Sequence, residues 1–132
     1  MSELELSTFK GSCHCGAVAF TVRAPENVEV EDCNCSICSK SGFLHLIVPK
    51  IHFELTAGED SLSSYRFNTG VAEHYFCKVC GVKPFYVPRS NPDGMDINLR
   101  CLDRRPNKVK IVAFDGQNWE ANAAALAHKS EV

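Results

Sequence analysis

Eight cysteines in a chain of 132 residues constrain this sequence more than any other feature. Seven of them fall into three tight clusters, Cys13-His14-Cys15, Cys33-Asn34-Cys35-Ser36-Ile37-Cys38 and Cys77-Lys78-Val79-Cys80. Cysteines one or two residues apart can converge on one metal ion, whereas a disulfide across so short a span is strained. The clusters therefore predict two bound zinc ions rather than a disulfide framework.

The first and third clusters predict a closed structural site. Structural zinc takes four ligands in a tetrahedron, often as two pairs that are far apart in the sequence. Two such pairs are present, and they are Cys13, Cys15, Cys77 and Cys80. Gly16 and Gly81 follow the pairs, and glycine allows tight turns that aim backbone N–H groups at the sulfurs. We expect this site to join the N-terminal hairpin to the middle of the chain, so that metal binding contributes to folding.

The second cluster supplies three thiolates, Cys33, Cys35 and Cys38. Three protein ligands and an open position are typical of a catalytic zinc. A fourth side chain could instead close the site, and the candidates are His14, His45, His52, His74 and Cys101. A second alternative is a single four-thiolate site with the other cysteines free. Cys101 lies in a stretch of alternating apolar residues, where a small buried side chain is the expected role.

Charge and hydropathy limit the function classes. A formal net charge of −2 gives no electrostatic basis for nucleic-acid binding. The apolar stretches are too short to span a membrane. The acidic start, Met1-Ser2-Glu3-Leu4-Glu5, lacks the apolar segment of a secretory signal. We therefore expect a cytoplasmic protein, in a compartment where thiols stay reduced.

The apolar pattern predicts one all-β domain over residues 1–132. Candidate strands cover residues 16–23, 43–48, 51–55, 62–67, 73–76, 82–87, 96–102 and 109–114, and turn signals lie at 57–60, 68–70 and 89–94. Many short strands at this spacing predict a sandwich or an open barrel. A short C-terminal helix should begin at Trp119 with Asn118 as its N-cap, and the chain should be frayed from about His128.

The cysteine clusters and their flanks resemble a known family. The segment Gly11-Ser12-Cys13-His14-Cys15-Gly16-Ala17-Val18, the triplet 33–38 and the segment Phe76-Cys77-Lys78-Val79-Cys80-Gly81 are similar to the glutathione-dependent formaldehyde-activating enzyme family. That family includes centromere protein V and has the Mss4-like all-β fold. Residues 98–103 and 114–119 resemble its downstream segments, so the resemblance runs from residue 10 to residue 120.

The resemblance implies a role for each cluster. It implies a structural zinc on Cys13, Cys15, Cys77 and Cys80, and a catalytic zinc on Cys33, Cys35 and Cys38. It also implies the activity of an S-(hydroxymethyl)glutathione synthase, a carbon–sulfur lyase that joins a thiol, glutathione or a similar molecule, to formaldehyde or a related aldehyde. The expected partners are these two small molecules, with neither nucleic acid nor a membrane among them.

Other interpretations stay open from the sequence. A non-catalytic zinc scaffold with a protein partner would close the second site, and a chromatin or cytoskeletal role would need a basic extension. His14 and His45 are candidates for supplying a proton near the triplet. A group of basic residues near the C-terminal strands is either a solvated face or an anion-binding rim, and its members are Arg100, Arg104, Arg105, Lys108 and Lys110.

Overall fold

A computed structural model describes residues 5–67 and 69–131 of the chain. Met1 to Leu4, Asn68 and Val132 lie outside the described residues. The start of the acidic N-terminus and the first residue of the expected turn at 68–70 are therefore outside the description that follows.

The described chain is mostly β-structure, as the sequence predicts. The strands are β1 Ser7–Ser12, β2 Ala19–Ala24, β3 Asn27–Cys33, β4 Leu44–Pro49, β5 Phe53–Ala57, β6 Leu62–Tyr65, β7 Glu73–Cys77, β8 Phe85–Val87, β9 Gly94–Asn98 and β10 Lys108–Phe114. Two short α-helices, α1 Ser36–Ser41 and α2 Trp119–Asn122, accompany them. Single 3-10 turns cover Lys50–His52, Glu59–Ser61, Leu99–Cys101 and Gly116–Asn118, and a longer 3-10 segment covers Ala123–Ser130.

The strands form two sheets. A three-stranded sheet has the order β1-β2-β5, and a seven-stranded sheet has the order β10-β3-β4-β9-β8-β7-β6. Neighbouring strands are antiparallel except for β10, which returns at the edge of the larger sheet and runs parallel to β3. The sequence-based expectation of a sandwich or open barrel of short antiparallel strands therefore needs one correction at β10, and the long connection from β9 to β10 is what allows the parallel return.

One apolar core joins the two sheets. Phe20 of the smaller sheet packs edge-on against Phe85 of the larger sheet, with ring centroids 5.7 Å apart, and Phe53 lies 4.8 Å from the same ring. β4 is buried along its whole length, because it lies inside the large sheet and the 3-10 segment 123–130 covers it. The core thus fixes β4 and its neighbours, which carry several residues of the site described below.

Several element boundaries differ from the sequence prediction. The strand expected at 16–23 begins only at Ala19, because residues 13–18 form the turn that arranges the first cysteine pair. The strand expected at 96–102 ends at Asn98, whose side chain accepts a hydrogen bond from the backbone of Arg100 and starts a 3-10 turn. The pattern also missed β1, β3 and α1.

The C-terminal segment is partly as expected. α2 begins at Trp119, but the chain is α-helical only to Asn122 and continues as a 3-10 segment. Asn118 occupies the N-cap position without capping, because its amide donates to Asp115 at 2.7 Å. The expectation of a frayed end from about His128 is wrong up to Ser130, which is 3% exposed and donates to Asp93 at 2.6 Å. No helix among the described residues has the length and apolar character needed to cross a membrane.

Candidate metal centres and the adjoining cavity

Four cysteine sulfurs from the first and third clusters meet at one point. The Sγ atoms of Cys13, Cys15, Cys77 and Cys80 all lie within 4.8 Å of one another. The Cys13–Cys15 and Cys15–Cys77 sulfur pairs are both 3.7 Å apart. A disulfide would bring two sulfurs to about 2.05 Å, whereas a tetrahedron with metal–sulfur bonds of about 2.3 Å has edges of about 3.8 Å. The four sulfurs therefore could hold one metal ion.

The turns around these sulfurs have the geometry that the sequence predicts. Gly16 and Gly81 adopt φ angles of 82° and 80°, in the left-handed region that favours glycine. Backbone N–H groups then point at the sulfurs: Val18 donates to Cys13 at 3.4 Å and Val79 donates to Cys77 at 3.4 Å. Such hydrogen bonds favour the thiolate form that a metal requires.

This site links the two sheets. Cys13 and Cys15 lie in the connection between β1 and β2 of the smaller sheet, and Cys77 is the last residue of β7 in the larger sheet. Cys77 is fully buried, and the backbone N–H of Val82 lowers the pKa of Cys80 to about 6. The cluster is therefore placed to hold the N-terminal hairpin against the middle of the chain.

The second cluster brings three sulfurs together at the end of β3. The Sγ atoms of Cys33, Cys35 and Cys38 lie within 4.8 Å of one another. Cys33 ends β3, and Cys35 caps α1 by accepting a hydrogen bond from the backbone N–H of Cys38 at 3.4 Å. Cys33 and Cys38 are buried, and Cys35 is half-buried.

The thiols of this triplet perturb one another. Hydrogen bonding with Cys33 lowers the pKa of Cys35 to about 2, and hydrogen bonding with Cys33 raises the pKa of Cys38 well above its usual range. Three sulfurs at this separation hold one thiolate readily, but they cannot all ionise unless a nearby cation offsets the repulsion. The donor set therefore fits a divalent metal ion.

A glycine closes the backbone over the triplet. A Cβ atom added at Gly116 would lie 2.4 Å from the Sγ of Cys33 and 3.0 Å from the Cβ of Cys35. The connection after β10 is held there by Asn34, whose side chain accepts from the backbone N–H of Gln117 at 2.9 Å. The Cys33–Cys38 loop and the 116–118 turn thus form one packed unit.

The proposed fourth ligands do not join the triplet. Among residues 5–67 and 69–131, the possible ligand atoms that all lie within 4.8 Å of one another at this site come from the three cysteines. None of the candidates belongs to this group, and those candidates were His14, His45, His52, His74 and Cys101. His45 contacts one sulfur of the triplet, because its Nε2 lies 3.1 Å from the Sγ of Cys38. Its Nδ1 donates to Asp96 at 2.6 Å. Cys101 is half-buried in a 3-10 turn rather than in a strand.

A cavity of about 230 Å³ opens beside the triplet. All three cysteines line it, together with His45, His74, Tyr86 and Asp96. Its apolar walls come from Ile47, Phe67, Phe114, Trp119 and Leu126. The cavity places three sulfurs that could hold a metal ion, a buried carboxylate and two histidines around a space that could accept a small ligand.

Comparisons with known proteins agree with this geometry. Residues 8–120 match the family model described as glutathione-dependent formaldehyde-activating enzyme. The chain belongs to this family. A curated Halomonas elongata protein named after the same enzyme is 33% identical over 122 residues, which cover 83% of this chain and 78% of that protein. A crystal structure of a Rhodobacter sphaeroides protein matches with a TM-score of 0.69 and 30% identity, over 78% of this chain and 99% of the other.

In this formaldehyde-activating-enzyme family member, a second histidine, His74, lines the same cavity as the sulfurs. The Nζ of Lys83 donates to the Nδ1 of His74 at 2.8 Å, and the His74 ring stacks on Tyr86 with centroids 4.7 Å apart. Burial, with a further contribution from the Lys83 charge, lowers the pKa of His74 to about 4. The imidazole is therefore neutral at physiological pH.

The cationic group of the cavity is Arg89, which the sequence interpretation missed. It is the one lysine or arginine among the described residues of the cavity wall. Its guanidinium lies 3.8 Å from the centre of the Trp119 ring and donates to Glu120 at 2.6 Å. The run Arg89-Ser90-Asn91-Pro92-Asp93-Gly94 reads only as a turn, so no sequence signal distinguished Arg89 from other surface cations.

The basic residues expected to form an anion-binding rim lie elsewhere. Arg100, Arg104, Arg105, Lys108 and Lys110 are absent from the walls of this cavity. Arg104 instead donates to Glu26 at 2.6 Å, and the other four are exposed. The rim interpretation is therefore wrong for the cavity beside the triplet, because these side chains lie on a solvated face.

Proposed function

We propose that this protein joins a thiol, glutathione or a related anionic thiol, to formaldehyde or a related small aldehyde, with zinc bound at the cysteine triplet. The observation that carries the proposal is the position of Cys33, Cys35 and Cys38 in the wall of a cavity of about 230 Å³. The proposed reaction forms a carbon–sulfur bond. It is the reverse of the bond cleavage for which carbon–sulfur lyases are named. The names of the family and of the Halomonas elongata relative support this choice of substrates.

Zinc is the metal that best fits both sets of sulfurs. Thiolate ligands select soft or borderline ions, and four thiolates around one point are typical of structural zinc. We assign Cys13, Cys15, Cys77 and Cys80 to a structural zinc, and Cys33, Cys35 and Cys38 to a catalytic zinc. Bound at the triplet, zinc would supply a coordination position that accepts the substrate thiol and favours its thiolate form.

The residues beside the triplet hold its sulfurs in place. His45 contacts the Cys38 sulfur through Nε2 and donates to Asp96 through Nδ1. His45 is 4% exposed and Asp96 is 1% exposed, so neither exchanges these partners for water. This carboxylate–histidine pair is the arrangement that commonly orients metal-site residues. We assign it the role of fixing the Cys38 sulfur toward the cavity.

Arg89 supports an anionic thiol as the substrate. A cavity lined by three cysteine sulfurs and the Asp96 carboxylate would repel an anion unless a cation offset that charge. Arg89 supplies this cation at the cavity wall, and the Trp119 ring supports the guanidinium plane. A guanidinium binds a carboxylate through two parallel hydrogen bonds, and glutathione carries two carboxylates.

The reaction needs no external oxidant or reductant. The thiolate sulfur would attack the carbonyl carbon, a carbon–sulfur bond would form, and the π electrons of the carbonyl would move to its oxygen. The oxygen would then take up a proton equivalent to the one that the thiol lost. Apolar side chains such as Phe114 and Leu126 would limit the entry of water.

The test compares Cys35→Ser with Cys101→Ser. Cys35 belongs to the triplet, and Cys101 is an equally half-buried cysteine outside both clusters. We expect two zinc ions per chain in the wild type and in Cys101→Ser, and one in Cys35→Ser, by elemental analysis. Exchange NMR measures the rate of interconversion of glutathione and its formaldehyde adduct. This rate should exceed the spontaneous rate with the wild type and with Cys101→Ser, but not with Cys35→Ser. Unchanged catalysis in Cys35→Ser, or none in the wild type, would overturn the proposal.

A further inference from the structure

Three buried side-chain atoms of the described cavity wall have no hydrogen-bond partner, Oδ1 of Asp96, Oε1 of Glu31 and Nε2 of His74, and the histidine nitrogen is the one among them that belongs to a neutral side chain with an N–H donor. The Nε2 of His74 is inaccessible to solvent and pairs with no donor or acceptor among the described residues. The whole residue is 4% exposed, although it lies in the wall of the cavity beside the triplet. Leaving a buried polar group unpaired costs about 1–3 kcal/mol. An arrangement with this cost is typical of an atom that binds a ligand.

Lys83 determines which of the two ring nitrogens carries the proton. An ammonium group has three donors and no acceptor, so its 2.8 Å contact requires the Nδ1 of His74 to accept. The Lys83 ammonium also lies 4.0 Å from the centre of the Tyr86 ring and 4.8 Å from that of Phe43, two contacts that favour its charged form, whereas burial lowers the pKa of Lys83. The proton of neutral His74 is therefore on Nε2.

The ring of His74 is held in this orientation from both faces. Tyr86 stacks on one side with an interplanar angle of 12°, and Phe67 stacks at a centroid distance of 5.5 Å. Lys83 contacts Nδ1 and is not among the described residues that line the cavity. Nε2 is the ring nitrogen that Lys83 leaves without a partner, in a residue that lines the cavity.

We propose that His74 is a catalytic residue whose Nε2–H group donates a hydrogen bond to the carbonyl oxygen of the aldehyde while the carbon–sulfur bond forms. Lys83 is the positioning residue that fixes the required tautomer. This inference rests on the proposed function, because it concerns the second substrate of the same cavity.

Charge explains why such a donor matters at this position. The thiolate attack moves an electron pair onto the aldehyde oxygen, in a space that the Asp96 carboxylate lines. An N–H group aimed at a developing oxyanion stabilises the transition state more than the ground state. His74 donates a hydrogen bond only and keeps its proton, and the oxygen is finally protonated by the proton equivalent released from the thiol. The ammonium of Lys83 polarises the imidazole and strengthens its N–H donor.

The test uses three variants of the zinc-loaded protein. His74→Phe keeps an aromatic ring between Tyr86 and Phe67 but removes the donor, and His74→Gln restores an amide N–H near the position of Nε2. Lys83→Met keeps the side-chain length and removes the charge. For each, exchange NMR gives kcat and KM for thiol and aldehyde, and long-range ¹H–¹⁵N spectra give the tautomer of His74 without reference to activity.

We expect His74→Phe to lower kcat about 100-fold, with the KM for glutathione and the zinc content unchanged. His74→Gln should recover most of the loss. In the wild type the ¹⁵N spectrum should show protonated Nε2 alone, and in Lys83→Met a mixture of tautomers with a lower kcat. Wild-type kcat in His74→Phe, or protonated Nδ1 in the wild type, overturns the inference while leaving the proposed function intact. An inactive wild type with protonated Nε2 overturns the proposed function, and the aldehyde role with it.

Discussion

The Sγ atoms of Cys15 and Cys77 lie 3.7 Å apart although 62 residues separate them in the sequence. Each sulfur belongs to a turn in which a glycine with positive φ directs backbone N–H groups at a neighbouring thiolate. The contact joins the loop between β1 and β2 to the end of β7. A metal ion at this point would connect the two sheets in addition to their shared apolar core.

Loss of one ligand from the four-sulfur cluster should destabilise the whole fold. Cys77 is fully buried at the junction of the sheets, so Cys77→Ser would leave three thiolates without their full coordination. We expect the free energy of unfolding to fall by more than about 4 kcal/mol, as for other lost metal sites. Thermal unfolding followed by circular dichroism measures this, with Cys101→Ser as the control. Equal stability of the two variants would show that the cluster holds no structural metal.

Gly116→Ala should remove the metal of the triplet and spare the other site. The new methyl group would approach within 2.4 Å of the Cys33 sulfur, closer than real contacts allow, so the 116–118 turn must move away from the triplet. Elemental analysis should then find about one zinc per chain instead of about two. Lys110→Ala, at an exposed position on β10, should keep both ions. Full zinc content in Gly116→Ala contradicts the close packing of this turn on the sulfurs.

Arg89→Gln should weaken the binding of anionic thiols selectively. Because Arg89 is the cation of the cavity wall, its loss removes a charged hydrogen bond to a carboxylate, and the KM for glutathione should rise about tenfold. The KM for 2-mercaptoethanol, which carries no carboxylate, should not change. Arg66→Gln is the matched control. Arg66 is an exposed arginine whose side chain pairs with Glu73 at 2.7 Å, and it is not among the described residues that line the cavity. An equal rise for both thiols would indicate general damage to the cavity rather than carboxylate recognition.

His74 should remain neutral across the physiological pH range. Burial is the main reason that its pKa is lowered from 6.5 to about 4, and the Lys83 charge acts in the same direction. The ring resonances of His74 should therefore not titrate between about pH 5 and 8, and Lys83→Met should raise the pKa while burial keeps it below 6.5. The unfolded chain, in which the pKa of His74 is near 6.5, binds a proton on this histidine more readily than the folded chain does. His74 therefore lowers the free energy of unfolding as the pH falls from 6.5 toward 4. A His74 midpoint near 6.5 in the wild type would contradict its burial beside Lys83.

The cysteine spacing predicted both sulfur clusters, because cysteines that lie close together along the chain have few other ways to converge. Cys33, Cys35 and Cys38 are separated by one and two residues, so the end of a strand followed by one helical turn is enough to bring their sulfurs together. The distant pairs could be matched because structural zinc requires four ligands. Each pair also carries its own turn-forming glycine.

Other parts of the site depend on contacts that local sequence patterns do not encode. Lys83 and His74 meet across an irregular segment and β7, and Arg89 reaches Trp119 from a turn that precedes β9. β3 was missed although Val28 and Val30 alternate with Glu29 and Glu31 in the pattern of a half-buried strand, and its partners β4 and β10 come later in the chain. Glu31 is nevertheless buried, since Lys129 of the C-terminal segment pairs with it. The same ion pair holds the end of the chain that its composition predicts to be frayed.

The most direct test of the thiol-binding triplet is ¹¹³Cd NMR of the cadmium-substituted protein, titrated with glutathione. Cadmium replaces zinc at thiolate sites and reports the ligands of each ion separately. We predict two resonances, of which one stays fixed and the other moves as glutathione is added; the moving resonance should be missing from Cys35→Ser. If neither resonance shifts when glutathione is added, the triplet site is closed by the protein. That result would contradict a role for Cys33, Cys35 and Cys38 in binding a substrate thiol.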